Sequence, residues 1–289
     1  MDVKTIAVIG AGTMGRGIAY AAVLAGYRTV LEDVSPAMLN EGTTFIRTML
    51  DDGVAAASVT AAQRESALAN LSTARSVEDA CRLADLLIET VPEEMEVKLE
   101  IFTIFDKFAK PDAILASNTS SLSITELAAI TFRAENCIGM HFFDPVLKTK
   151  LLEIARALES SDATVAACSE VGRRMGKEVV VVRESPGFIT SRISALIGNE
   201  AFYMLQEGIA SAADIDKALK LGLNHPMGPF ELVDLVGLDV RLDVLESLHK
   251  MLGEKYRPCP LLAQYVKAGR LGRKSGRGVY DYSEKAACK

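Results

Sequence analysis

His141 closes the apolar run Cys137-Ile-Gly-Met140, and Glu153 interrupts another, Leu151-Leu-Glu-Ile154. An imidazole titrates near neutrality, so it can take or give a proton at ordinary pH. A carboxylate inside an apolar strand is costly to bury unless something pairs with it. If the two meet, the acid fixes the imidazole tautomer and supports its cationic form, as a general base requires. The alternative is a structural histidine and an edge glutamate turned to water. Spacing alone leaves those two readings even.

A second chemistry is phosphate binding. Gly10-Ala-Gly12-Thr13-Met14-Gly15 follows the strand-like Thr5-Ile-Ala-Val-Ile9 and opens a segment with Met14, Ile18, Ala22 and Ala25 at helical spacing, stopped by Gly26. In that context Gly10 permits a tight turn, Gly12 lets backbone approach a pyrophosphate, and Gly15 allows close packing of helix on strand. The phosphates then sit on N–H groups at the helix start, which brings Thr13 and Met14 into the site. Thr29-Val-Leu31 reads as a second strand, ending in Glu32 and Asp33. A carboxylate at Asp33 accepts both ribose hydroxyls of an adenosine and repels a 2′-phosphate, which favours NAD over NADP. The simpler reading is a cap on the turn before Ser35-Pro36. The glycine motif alone also admits FAD or another nucleotide.

Ser117-Asn118-Thr-Ser-Ser121 closes the strand-like Ile114-Leu-Ala116 at a sheet's carboxyl end, where ligands bind in open α/β folds. Ser117 there can hydrogen-bond a reacting oxygen. It can equally be turn chemistry, since Ser123-x-x-Glu126 is itself a capping pattern. Glu93, Glu94 and Lys98 open a helix after Leu86-Leu-Ile88 and can reach a cofactor, although acids also suit a helix start for electrostatic reasons.

The elements that must position these groups alternate strand and helix. Leu86–Ile88, Ile114–Ala116, Cys137–Ile138 and Val179–Val182 read as buried strands, while Met95, Leu99, Phe102 and Phe105 form a helical stripe. Such alternation predicts a Rossmann-type, doubly wound and mainly parallel α/β sheet. The texture changes at Ser185-Pro186-Gly187. From Ile189 to Leu205 runs a long apolar helix ended by Gly208. A capping pattern, Ser211-x-x-Asp214, and Pro229 as a first helical residue follow. Strand-like alternation returns only at Val279-Tyr-Asp-Tyr282. We therefore expect an NAD-binding domain over 1–184 and an all-helical substrate and dimerisation domain over 185–289, whose first helix also packs against a second subunit.

Composition narrows the class. The net charge of -6 disfavours nucleic-acid binding, which needs clustered Lys and Arg. No apolar run approaches the about 20 residues of a membrane helix, and Met1 to Ile9 lacks a signal-peptide pattern. The five cysteines (Cys81, Cys137, Cys168, Cys259, Cys288) lack metal or redox spacing, and the three histidines (His141, His225, His249) lie far apart. These features lead us to expect a cytoplasmic protein with reduced thiols and no metal site.

The ordered motifs carry a resemblance. Gly10–Gly15, Glu89-Thr-Val-Pro-Glu93, Ser117-Asn-Thr-Ser-Ser-Leu122, Gly139-Met-His-Phe-Phe143, Pro186-Gly-Phe188, Asn224-His-Pro-Met-Gly-Pro229 and Leu271-Gly-Arg-Lys-Ser-Gly-Arg-Gly278 stand in one order. Along essentially its whole length the chain resembles the 3-hydroxyacyl-CoA dehydrogenases, and most of all their bacterial 3-hydroxybutyryl-CoA branch. The resemblance implies reversible, NAD-dependent oxidation of (S)-3-hydroxyacyl-CoA, of short chain, to 3-ketoacyl-CoA by a homodimer joined through the helical domain. It implies that His141 is the general base and Glu153 its partner. Ser117 would touch the substrate oxygen and the cofactor, Asp33 the adenosine ribose, and Glu93, Lys98 and Lys274 further parts of NAD.

Two positions depart from the family pattern. Asp144 stands where an Asn often follows His-Phe-Phe and would change the sense of a cofactor hydrogen bond. Ser191 replaces an Asn after Pro-Gly-Phe and offers a shorter group to the substrate carbonyl. Between Asp33 and Gln63 the only basic residue is Arg47, so lysine contacts to CoA phosphates do not carry over. A beta-hydroxyacid dehydrogenase would rely on an interdomain lysine, yet no Lys occurs between Lys177 and Lys217. A non-catalytic NAD-binding or structural protein on the same scaffold is the remaining alternative.

Overall fold

A computed structural model describes residues 2–283; Cys288 lies outside the described residues. The chain forms two compact units, Met1–Ser185 and Pro186–Lys289.

The first unit runs β1 (Thr5–Ile9), α1 (Thr13–Leu24), β2 (Arg28–Glu32), α2 (Pro36–Ala55), α3 (Ala61–Asn70), β3 (Leu71–Thr73), α4 (Val77–Leu83), β4 (Leu86–Glu89) and α5 (Met95–Phe108). It continues through β5 (Ile114–Ser117), α6 (Ile124–Ala129), β6 (Cys137–His141), β7 (Leu151–Arg156), α7 (Asp162–Arg174) and β8 (Glu178–Arg183). The strands form one sheet in the order β3-β2-β1-β4-β5-β6-β7-β8. Neighbours are parallel except β6 and β7, which pair antiparallel, so β8, parallel to β7, shares its reversed direction. Side chains alternate faces along each strand. In β1, Ile6 and Val8 join a core with Ile18, Leu31 and Ile46, while Ala7 and Ile9 join another with Leu87, Phe102 and Phe105. Burial on both faces explains why the central strands read as continuous apolar runs; Val179–Val182, expected to be buried, instead forms the edge strand β8, where Val180 and Val181 are exposed.

Local chemistry sets the helix ends. Pro36 opens α2, and the Ser35 hydroxyl accepts the Met38 N–H at 3.4 Å. Thr60 and Gln63 cap α3 reciprocally. In the second unit, α8 (Thr190–Gln206), α9 (Ala212–Gly222), α10 (Pro229–Val236), α11 (Leu238–Leu252) and α12 (Pro260–Lys267) surround a core containing Phe202, Phe230, Leu245 and Tyr256. Ser211 caps α9 as its spacing suggested.

The strand-like alternation at Val279–Tyr282 does not produce a strand. Isolated bridges join Gly272 to Arg277 and Arg277 to Asp281, and the amides of Val279 and Tyr280 are held by the carboxylate of Asp234 instead of a neighbouring strand. Among the described residues no helix is long and apolar enough to cross a membrane.

Candidate active site

The carboxyl ends of β1, β4, β5 and β6 lie along one edge of the sheet and carry the chemistry. The turn from β1 to α1 comes first. Gly10 sits at φ +101°, which a side chain resists, and its N–H donates to the Glu32 carbonyl at 2.8 Å. A Cβ on Gly15 would lie 1.8 Å from the Gly10 carbonyl oxygen, so α1 can approach the turn only with glycine there. The α1 N-cap, Gly12, makes no side-chain capping bond, which leaves the first amides of the helix to a ligand. A cavity of about 550 Å³ opens at this turn, lined by Gly10, Gly12, Thr13, Met14, Glu32, Asp33, Thr90 and apolar residues. The Asp33 carboxylate accepts the N–H groups of Ala11 at 2.7 Å and Ser35 at 2.8 Å. It therefore holds the turn while lining the cavity. Glycine turn, open helix amides and acid together fit a dinucleotide.

Next along the edge stands a network the sequence only partly disclosed. Glu89 ends β4 and is fully buried with Lys98 from α5. Lys98 Nζ lies 2.7 Å from Glu89 Oε1 and 3.2 Å from Glu93 Oε2. Burial pushes the Glu89 carboxyl upward, opposed by Lys98 and by hydrogen bonds from Ser117 and the Val91 amide. Ser117 Oγ donates to Glu89 Oε2 at 2.6 Å, leaving its lone pairs for another group. Glu93 accepts from Thr119 Oγ1 at 2.5 Å and from the Ser120 amide at 3.0 Å. Ser117 and Lys98 thus meet at Glu89, and Glu93 joins them through Lys98; sequence reasoning assigns Glu89 no role of its own. The signal was present: an acid ending an apolar strand needs a partner, as with Glu153.

His141 is the last residue of β6 and Glu153 lies directly opposite it in β7. The antiparallel register makes the pair. Nδ1 stands 2.8 Å from Glu153 Oε2, with His141 6% and Glu153 1% exposed. A carboxylate at Nδ1 favours the tautomer protonated there and leaves a basic lone pair on Nε2. The Phe143 ring packs 4.2 Å from the imidazole, centroid to centroid. Asn118, another group not anticipated, accepts the Phe142 amide at 2.9 Å and so ties the end of β6 to that of β5.

Asp144 is exposed and precedes a cis peptide bond to Pro145. In the second unit, Ser191 lies in the first turn of α8, half-buried, and Lys274 pairs with Asp239 at 2.6 Å. Among the described residues no group of three or more His, Cys, Asp or Glu is placed to hold a metal ion.

A dinucleotide turn and a buried imidazole–carboxylate couple on one sheet edge define a dehydrogenase. Family models agree in detail: residues 5–185 match the 3-hydroxyacyl-CoA dehydrogenase NAD-binding domain and residues 187–282 its C-terminal domain. The chain belongs to the 3-hydroxyacyl-CoA dehydrogenase family, whose members are NAD-dependent oxidoreductases. It is 47% identical to the 3-hydroxybutyryl-CoA dehydrogenase of Bradyrhizobium diazoefficiens, over 97% of this chain and 96% of that one. A probable 3-hydroxybutyryl-CoA dehydrogenase of Bacillus subtilis is 45% identical over 99% of this chain and 100% of its own. The crystal structure of (S)-3-hydroxybutyryl-CoA dehydrogenase from Ralstonia eutropha matches with a TM-score of 0.94 at 43% identity, covering 97% of this chain and 99% of that one.

Proposed function

We propose that this chain reversibly oxidises (S)-3-hydroxyacyl-CoA, with 3-hydroxybutyryl-CoA as its short-chain substrate, to the 3-ketoacyl-CoA. The buried couple of His141 Nδ1 and Glu153 Oε2 at 2.8 Å carries the reading. Bound NAD would supply the acceptor for the hydride that leaves C3 of the substrate. His141 takes the C3 hydroxyl proton at Nε2, and Glu153 holds the imidazole in the competent tautomer and supports the cation that results. In the reverse direction the imidazolium returns that proton to the carbonyl oxygen. Ser117 touches the substrate oxygen and the cofactor in this reading, and would donate to the reacting oxygen by turning its hydroxyl proton away from Glu89 Oε2, which accepts it at 2.6 Å.

Gly10, Gly12, Thr13, Met14 and Gly15 would hold the pyrophosphate and Asp33 the adenosine ribose. Glu93, Lys98, Asp144 and Lys274 are the further cofactor residues of this reading, and Ser191 the hydroxyl that orients the substrate carbonyl. The division into a cofactor domain over 1–184 and a helical substrate domain over 185–289 belongs to the same proposal. So do a cytoplasmic setting and a homodimer through the helical unit, where Ile189 and Ile193 of the α8 region are each about half exposed. A mass in solution equal to that of one chain would remove the dimer.

The test is loss of NADH absorbance with acetoacetyl-CoA. The wild type should turn over, and His141→Ala should lose about 10²–10⁴ in rate, the usual worth of general acid–base catalysis. No oxidation by the wild type at any pH would end the enzyme reading. Near-normal turnover by the variant would remove the base.

A further inference from the structure

The cavity at the glycine turn holds a carboxyl that the hydride chemistry does not use. Glu32, the last residue of β2, is 4% exposed yet lines the cavity beside Asp33. Its own carbonyl oxygen is fixed by the Gly10 amide at 2.8 Å, so it cannot move independently of the turn. Around it the cavity wall is apolar, with Val34, Val77, Val97 and Ile101. Among the described residues its carboxyl makes no side-chain hydrogen bond or ion pair. The charges acting on it are both negative: Asp33, next to it in the chain, and Glu78 in the first turn of α4. From α4 the buried Cys81 thiol is also near enough to feel it. On the cavity wall stand Ile9 of β1, Met38 of α2, and Val97 and Ile101 of α5. No cation compensates. Burial first, then the two acids, push this carboxyl up to about 7.

We propose that Glu32 is a cofactor-pocket residue that acts as a neutral acid: covering the cavity with the adenosine end of the dinucleotide draws a proton onto it, so affinity falls as the solution becomes alkaline. The inference rests on the dinucleotide reading above. A ligand that displaces water from this apolar wall removes what solvation the carboxylate retains, and desolvation favours the uncharged form. The neutral acid also offers an O–H donor inside the cavity, while Asp33 next to it remains a hydrogen-bond acceptor. By linkage, a group whose pKa rises on binding takes up a proton, and affinity is then lost above its free value. Below about neutrality the acid already carries its proton, and affinity should be flat. Above it the dissociation constant should climb by no more than about tenfold per pH unit, the limit for one group.

The probe is ADP-ribose, which carries the adenosine and pyrophosphate without the nicotinamide, and whose pyrophosphate does not titrate between pH 6 and 9. Calorimetric titration of the full chain should show the dissociation constant rising about three- to tenfold from pH 6.5 to 8.5. Heats measured in buffers of different ionisation enthalpy should show net proton uptake at pH 7.5. Glu32→Gln should keep the affinity seen at pH 6.5 and lose the slope. Parallel curves for wild type and variant would overturn the proposal, and so would zero proton uptake by the wild type, a result that needs no variant to fold. No binding of ADP-ribose at any pH would overturn the dinucleotide reading and this one with it.

Discussion

Both units bury carboxylates, but they satisfy them differently. In the first unit Glu89 and Glu153 face nitrogen bases: Lys98 at 2.7 Å and His141 at 2.8 Å. In the second, Asp216 accepts the Phe230 and Glu231 amides and the Tyr280 hydroxyl, and Asp234 accepts the Val279 and Tyr280 amides and the Tyr282 hydroxyl. Those two acids act as clamps. They fasten the segment after α12 onto α9 and α10, and Asp234 sits so close that a Cβ on Gly278 would lie 2.0 Å from its Oδ1. An acid held by backbone amides and phenolic hydroxyls organises the chain, whereas an acid held by an ammonium or an imidazole can take part in proton movement. Burial of a carboxylate therefore does not mark a reactive site; the kind of partner does.

The contrast can be broken at Lys98. Replacing it with Met leaves Glu89 buried without its cation, a change that typically costs about 3–5 kcal/mol. The sign with pH follows from the direction of the shift. Without Lys98 the folded-state value of Glu89 rises further above its unfolded value, so the penalty is full at high pH and shrinks as pH falls and the acid protonates in both states. Urea unfolding at pH 5 and pH 8 should show the larger loss at pH 8. A loss below about 1 kcal/mol at both would mean the pair adds little.

At Glu153 the contrast predicts a kinetic effect rather than a structural one. Glu153→Gln keeps shape and a hydrogen bond but removes the charge and permits the wrong tautomer, so kcat should fall on the order of 10²-fold, with the NAD dissociation constant nearly unchanged. Selective loss of NAD binding would place Glu153 among the clamps. The smallest effect belongs to the second unit. Tyr280→Phe removes one neutral hydrogen bond to Asp216, while two amides remain, and should cost about 0.5–1.5 kcal/mol in thermal or urea unfolding. A greater loss would mean that the hydroxyl, and not the amides, carries the clamp.

What the sequence disclosed follows the same division. The turn Gly10–Gly15 was legible because every constraint on it is local: a strand before, a helix after, and glycines where backbone approaches backbone. The alternation of apolar runs announced the sheet, and the caps at Ser123 and Ser211 lie within a few residues of what they cap. The meeting of His141 with Glu153 was not decidable from spacing, because it depends on β7 running against β6 while the strands before it run parallel. Lys98 was legible as a charged residue near the cofactor end of the sheet, but its pairing with Glu89 spans two elements. Val279–Tyr282 has strand-like alternation yet no strand, because Asp234, distant in sequence, takes its amides. Glu32 was visible as an acid at the end of β2, and its isolation from any cation emerges only in three dimensions.

The reversal at β7 has one more consequence. Successive residues of a strand point to opposite faces, so a slip of β7 by a single residue would set Leu152 or Ile154 against His141 and turn Glu153 to the other side. The acid and the imidazole therefore need no search of their own during folding. Zipping this one pair of strands delivers both, and a misaligned ladder would yield a protein with a complete sheet and no working base.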